Sequence, residues 1–164
     1  MENRAKRAAD EWNEQRPDID ANVMALVGRL LEATQLLERD WLSPLAAQFE
    51  LHPGEFDVIA TLRRAGAPHA LTPTALYERL MLSSGAMTSR LDRLERKGLT
   101  ERVPAPGDRR SILVRLTPAG LALIDKLLPL HVANERQALA ALTPAEQAQL
   151  DALLAKLITG LHKS

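Results

Sequence analysis

The 164-residue sequence contains no cysteine, few aromatic residues and no apolar run of membrane-spanning length. The missing cysteine excludes disulfides, thiolate metal ligands and thiol-based redox sensing. The N-terminal text MENRAKRAADEW is too polar for the apolar core of a signal peptide. These absences lead us to expect a cytoplasmic protein with no membrane partner, and the length of the chain predicts one domain.

Catalytic and metal-binding motifs are also missing. There is no Gly-rich phosphate loop, no HExxH and no arrangement of Ser, His and Asp that predicts a nucleophile. The four histidines are scattered without the spacing of metal ligands: His52, His69, His131 and His162. We therefore expect neither an enzyme nor a protein with a metal or other cofactor.

The net charge of the chain is zero, but the charges are unevenly distributed along it. Residues 72–116 hold nine Lys or Arg and five Asp or Glu, a net charge of +4, so the rest of the chain carries −4. A basic lobe on an acidic body is typical of proteins that contact nucleic-acid phosphates. The excess is small, and we expect DNA binding to need two lobes and to weaken with salt.

The sequence pattern predicts mainly helix, and the most informative stretch of the chain is residues 82–116. Ser83 or Ser84 can cap a helix whose inward stripe is Met87, Arg90, Leu91 and Leu94, and Gly98 is placed to end it. Two β-leaning runs follow, Leu99 to Val103 and Ile112 to Leu116. The order of helix, Gly stop and hairpin predicts a winged helix-turn-helix, whose first helix we place at Leu76 to Leu82. The fold class is mainly α with a small β-hairpin wing.

The outward face of the predicted helix carries small and basic side chains that suit a DNA major groove: Ser84, Gly85, Thr88, Ser89 and Arg93. The hairpin tip, PAPGDRRS, carries Arg109 and Arg110, which can reach the minor groove or the backbone, and Asp108, which can orient them. The alternative is a solvated amphipathic helix followed by an ordinary hairpin.

Start signals divide the rest of the chain into helices. Thr72, Thr117 and Thr143 each stand before a proline as N-cap residues, and Glu146 completes a capping box. The last two helices, Leu121 to Leu142 and Ala145 to Leu161, carry more leucine than a winged helix needs. These leucines predict either a partner surface, which we favour, or intramolecular packing.

SSGAMTSRLDRLERKGL, followed by DRRS, ILVRLT and TPAG, resembles the DNA-binding lobe of the MarR family of bacterial transcription regulators. The resemblance implies a homodimer that reads palindromic operator DNA with two recognition helices. It divides the chain into an extra N-terminal helix (residues 1–17), a helical dimerisation region (18–50 and 117–164) and a DNA-binding lobe (51–116).

Two charges lie on faces expected to be apolar, Asp57 within FDVIATL and Arg90 on the recognition helix. A buried charge is costly unless it is paired or binds a ligand, so the two could form a structural salt bridge. QRPDID, EFDVIATLRRAG and the motifs above also resemble the urate-responsive (HucR/PecS-like) branch of the family. That resemblance implies that Trp12, Asp57, Arg90 and Arg102 hold urate.

Together with the basic lobe and wing, the resemblance implies a ligand-responsive repressor that releases its operator when it binds urate or a similar small anion. One alternative is a regulator of the same fold that responds to a phenolic acid or another aromatic carboxylate. A second, of a different class, is a helical protein-interaction module that does not bind DNA. The basic lobe and the DRR wing favour the regulator.

Overall fold

The computed structural model describes residues 4–80 and 87–162, with the backbone alone for residues 108–110. The helices in this part of the chain are α1 (Arg4–Gln15), α2 (Ala21–Leu37), α3 (Ser43–Gln48), α4 (Pro53–Arg64), α5 (Pro73–Arg79), α6 (Met87–Arg96), α7 (Pro118–Ala138) and α8 (Pro144–Leu161). A π-helical segment, Glu38–Leu42, joins α2 to α3, and the strands are β1 (Ala70–Leu71), β2 (Thr100–Ala105) and β3 (Asp108–Leu116). The predicted fold class is confirmed. The chain divides into two compact units between Pro44 and Leu45.

Helix starts follow the predicted caps. The threonine Oγ1 accepts the backbone N–H three residues on in every case: Thr72 from Ala75 (3.1 Å), Thr117 from Gly120 (3.0 Å) and Thr143 from Glu146 (3.3 Å). Proline follows each cap, where its missing N–H costs no hydrogen bond. The first helix of the helix-turn-helix therefore begins at Pro73, ahead of the predicted Leu76.

The first unit is a pair of helices packed through small side chains. Ala5 and Ala9 of α1 are buried with Ala21 and Ala25 of α2. A Cβ placed on Gly28 would lie 3.9 Å from the Cβ of Ala5, an ordinary contact. Large apolar side chains of α2 are about half exposed or more within the single chain: Val23, Met24, Leu26, Val27 and Leu31.

The core of the second unit forms where α4, α5, α6 and α7 meet the sheet. The fully buried large apolar side chains are Val58, Ile59 and Leu62 of α4, Leu76 of α5, Leu94 of α6, Val114 of β3, and Ile124 and Leu127 of α7. The periodicity of these positions makes one face of each helix apolar, and this fixes α6 against α4.

The sheet has three antiparallel strands in the order β1–β3–β2. The β2–β3 hairpin turns at Gly107, whose φ of 81° suits glycine. The sequence predicted the hairpin but not β1. This two-residue strand pairs Ala70 with Arg115 and Leu71 with Val114, so it exists only through its partner.

The end of α6, the start of β2 and the start of α7 meet at one tight junction. Gly98 ends α6 with φ 68°, as predicted, and the Thr117 hydroxyl donates to its carbonyl oxygen at 2.6 Å. A Cβ on Gly120 would stand only 2.0 Å from the Leu99 carbonyl oxygen, so only glycine fits there without a backbone shift. The junction therefore ties the wing and α7 to the end of α6.

The last helix, α8, has no buried residue within the single chain. Its apolar side chains face solvent: Leu150, Leu153, Leu157, Ile158 and Leu161. Nearby on α7 and just beyond its end, Leu130, Val132 and Leu139 are also exposed. None of the described helices is both long and apolar enough to cross a membrane.

Candidate nucleic-acid interface

The outer face of α6 is polar and its inner face is apolar. Leu91 and Leu94 are buried, whereas Thr88 and Ser89 are exposed. Both exposed side chains are short, so this face of α6 can approach the base edges of a DNA groove closely. Ser84 and Gly85, which were predicted to share this face, lie outside the described residues, as does the predicted cap at Ser83 or Ser84.

The wing places the DRR motif directly after the hairpin turn. Ala105 pairs with Asp108 across Gly107, and residues 108–110 are the first three of β3. A basic segment therefore follows the turn of an antiparallel hairpin, as predicted. The side chains of Asp108, Arg109 and Arg110 lie outside the described part of the chain, and their contacts with DNA stay predictions.

A buried carboxylate at the start of α4 binds two cations of α6 and its C-terminal turn. Glu55 is fully buried, and its Oε1 lies 2.7 Å from Nε of Arg93. Its Oε2 lies 2.7 Å from Nζ of Lys97 and accepts the His52 N–H at 3.0 Å. Each carboxylate oxygen thus has its own cation, and Oε2 accepts a backbone N–H as well, so the group is held by three contacts.

Burial is the largest single influence on the pKa of Glu55, and it raises that pKa. Hydrogen bonds from Lys97, from the His52 backbone and from Arg93, together with the charge of Lys97, outweigh burial and bring the pKa below its usual value. Glu55 is therefore ionised at neutral pH. The carboxylate and the two cations form a charged cluster that stays charged.

The opposite face of α6 is bound by a cation of the wing. Nη2 of Arg102, on β2, lies 2.6 Å from Oδ1 of Asp92, and Nη1 donates to Oε2 of Glu95. These two hydrogen-bond partners, Asp92 first, raise the pKa of Arg102 above its ordinary value. At 100° per residue, positions 92 and 95 point away from positions 93 and 97. α6 is therefore attached by charge on both sides.

Arg90 lies against the first turn of α4. A Cβ placed on Gly54 would stand 2.6 Å from both Cζ and Nε of Arg90, so the guanidinium occupies the space that a side chain would fill. Asp57 is buried three residues further along α4, on the same face as Gly54. The structure thus brings the Arg90 guanidinium to the side of α4 that carries Asp57.

Two of the four predicted effector residues, Arg90 and Arg102, lie on different faces of α6. Arg90 faces α4, whereas Arg102 reaches Asp92 and Glu95 on the other face. Trp12 lies on α1, in the first unit, with 43% of its surface exposed. Arg90 and Asp57 are therefore the two candidates that the fold brings to one helix face.

Sequence reasoning missed Gly54 and Glu55, although Glu55 opens the EFDVIATLRRAG segment that it singled out and Gly54 comes directly before it. The signal was an acid three residues after His52, at the third position of a helix opened by Pro53, where a capping box is expected. Its partners Arg93 and Lys97 lie 38 and 42 residues away and leave no local trace. Arg93 was predicted as a DNA contact, and its ion pair with Glu55 was not anticipated.

The family of the chain follows from three comparisons. A protein-family model described as MarR family matches residues 49–111. The HTH-type transcriptional regulator PecS of Dickeya dadantii (strain 3937) is 41% identical over 146 residues, which cover 89% of this chain and 87% of PecS. The chain belongs to the MarR family. The multiple antibiotic resistance protein MarR of Escherichia coli (strain K12) is 34% identical over 84% of this chain and 94% of its own length.

A solved structure supports the same assignment. A mutant MarR from E. coli complexed with operator DNA matches with a TM-score of 0.70 and 32% identity, covering 89% of this chain and 96% of that chain. The MarR-family relatives are transcription regulators and not enzymes. This MarR-family chain is accordingly a transcriptional regulator, and the prediction that it is not an enzyme is confirmed.

Proposed function

We propose that this MarR-family regulator binds palindromic operator DNA as a homodimer and represses transcription until it binds urate or a similar small anion. The observation that carries the proposal is the geometry of α6, whose polar face is exposed while ion pairs on both sides fix its position. A helix held in this way can present its side chains to a major groove in a constant register.

DNA contacts are assigned to two surfaces. On α6 and the residues before it, Ser84, Gly85, Thr88, Ser89 and Arg93 read base edges in the major groove. On the wing, Arg109 and Arg110 contact the minor groove or the backbone, and Asp108 orients them. The net charge of +4 over residues 72–116 supports this assignment, because phosphate contacts supply much of the affinity.

A second copy of the chain is the proposed partner of the exposed apolar helices. None of the residues of α8 is buried within the single chain, and five of its large apolar side chains are exposed. α2 carries a similar set in the first unit. Burial of these surfaces in a homodimer would stabilise them and place two copies of α6 on successive half-sites of a palindrome.

The effector is proposed to bind Arg90 and Asp57, with Arg102 and Trp12 completing the set on the basis of the sequence resemblance. Urate is a planar anion, so a guanidinium can bind it through paired hydrogen bonds and an indole can stack on it. Arg90 belongs to α6, and Arg102 holds α6 through Asp92 and Glu95. A ligand that recruits either arginine therefore changes a contact of the DNA-reading helix.

The test is binding of the purified protein to its own upstream DNA at fixed salt, with and without urate. We expect urate to weaken binding by the wild type, and to have little effect on Arg90→Ala and Asp57→Ala proteins that still bind the DNA. An unchanged response in both variants would refute the site. A response to phenolic or aromatic carboxylates and not to purines, measured by thermal shift, would favour the alternative effector class.

A further inference from the structure

The buried acid at the start of α4 is absent from the proposed DNA and effector contacts, yet it binds α6 and its C-terminal turn through two cations. We propose that Glu55 is a positioning residue that sets the register of α6 for reading bases, acting through Arg93 and Lys97. The inference rests on the proposed function, in which α6 reads DNA.

The geometry restrains α6 in two directions. Arg93 and Lys97 are four residues apart on one face of the helix, so two points one turn apart are attached to a single carboxylate. Lys97 also donates to the backbone oxygen of Glu50 at 2.6 Å, just before α4. A shift of α6 along its axis, or a rotation about it, would break at least one of these contacts.

The attachment continues onto the DNA-facing surface. Arg93 uses Nε for Glu55 and donates from Nη1 to Oγ of Ser89 at 2.6 Å, and both Arg93 and Ser89 are proposed base contacts. About one third of the Arg93 side chain is exposed, so a fixed guanidinium still reaches the surface. Glu55 therefore orients two DNA-facing side chains without touching DNA itself.

Glu55→Gln tests this because glutamine keeps the size of the side chain and an acceptor for the His52 N–H but removes the charge. The matched control is Glu146→Gln on α8. Glu146 also occupies the third position of a capping box, where it accepts the Thr143 N–H at 2.8 Å, but it is exposed and has no cation among its hydrogen-bond partners in the described residues.

Two duplexes serve as probes, one selected by the wild-type protein from a random pool and one scrambled with the same composition. For Glu55→Gln we expect affinity for the selected duplex to fall roughly ten- to a hundredfold, as for the loss of one or two base contacts. Affinity for the scrambled duplex should stay constant or rise, because released cations remain available to phosphates. The ratio of the two affinities therefore falls, whereas Glu146→Gln keeps the wild-type ratio.

The ratio separates positioning from mere stability. A smaller folded fraction lowers both affinities by one factor and leaves the ratio unchanged, so an unchanged ratio in Glu55→Gln would overturn the inference. Should that protein not fold, Lys97→Gln removes one of the two attachments and leaves Glu55 and Arg93 in place, and here too the ratio is expected to fall. If Lys97→Gln lost affinity equally for both duplexes, Lys97 would act only as a phosphate contact, and the positioning role of Glu55 would be refuted. A wild type that selects no sequence would instead refute the proposed function.

Discussion

Replacing Gly54 by alanine perturbs the Arg90 guanidinium first, because the three atoms nearest to the new Cβ all belong to that group. The new Cβ would stand 2.6 Å from Cζ and Nε of Arg90, against the roughly 3.5–4.0 Å of an ordinary contact. The end of the Arg90 side chain must therefore move by about 1 Å or more. It can do so by rotation, because the atoms in conflict belong to the flexible end of the side chain and not to backbone.

Two effects on stability oppose each other, the helix preference for alanine and the loss of the contacts that Arg90 makes. Gly54 lies in the first turn of α4, and alanine in a helix is favoured over glycine by about 0.5–1 kcal/mol. For a chain of this length that corresponds to a rise in Tm of roughly 1–4 °C. Displacement of a charged hydrogen-bonding group costs a bound anion about 1.5–3 kcal/mol, or roughly ten- to a hundredfold in affinity.

The assay combines thermal unfolding with urate titration of the DNA complex. Gly54→Ala should give a cooperative unfolding transition, bind DNA, and require at least tenfold more urate for release. Gly28→Ala on α2 is the control, because its added Cβ would meet only an ordinary contact at 3.9 Å. A Gly54→Ala protein that is stable and has a wild-type urate response would refute Arg90 as an effector contact.

Three further changes test the packing, the dimer and the buried acid. Gly120→Ala drives a Cβ against the Leu99 carbonyl oxygen, so urea unfolding should show a loss of about 1–3 kcal/mol, and wild-type stability would contradict the tight junction. Leu153→Glu or Leu157→Glu on α8 should yield monomers in light scattering at concentrations where the wild type is a dimer; persistence of the dimer would place the interface elsewhere. Because its folded-state pKa is lowered, Glu55 contributes stability above its unfolded-state pKa of about 4.3 that is lost as pH falls through the folded-state value. The stability difference between wild type and Glu55→Gln should therefore shrink on acidification below about pH 4, and a constant difference would contradict the charged cluster.

Features encoded by neighbouring residues could be predicted, and features that depend on distant partners could not. The threonine–proline caps and the Gly98 stop are local, and the structure has them where the sequence indicated. β1 lacks a local signal, because two residues become a strand only when β3 lies beside them. The predicted end of α7 at Leu142 was also late, since the helix stops at Ala138.

The candidate site shows the same division. Asp57 and Arg90 were singled out because a charge interrupts an apolar pattern, and the pattern is visible in one dimension. Arg102 was identified by resemblance, but its attachment to Asp92 and Glu95 depends on the crossing of the wing and α6. Glu55 interrupts an apolar pattern too, and only the fold shows that Arg93 and Lys97 reach it.

The opposite attachments of α6 affect how a salt titration of DNA binding would be interpreted. The Arg102 pairs are partly exposed and weaken as ions screen them, whereas the buried Glu55 pairs are screened far less. Added salt therefore weakens the attachment of α6 to Arg102 of the wing, while its attachment to Glu55 of α4 remains. The slope of affinity against ionic strength would then contain an intramolecular contribution, and a count of displaced counterions taken from it would exceed the number of phosphates touched.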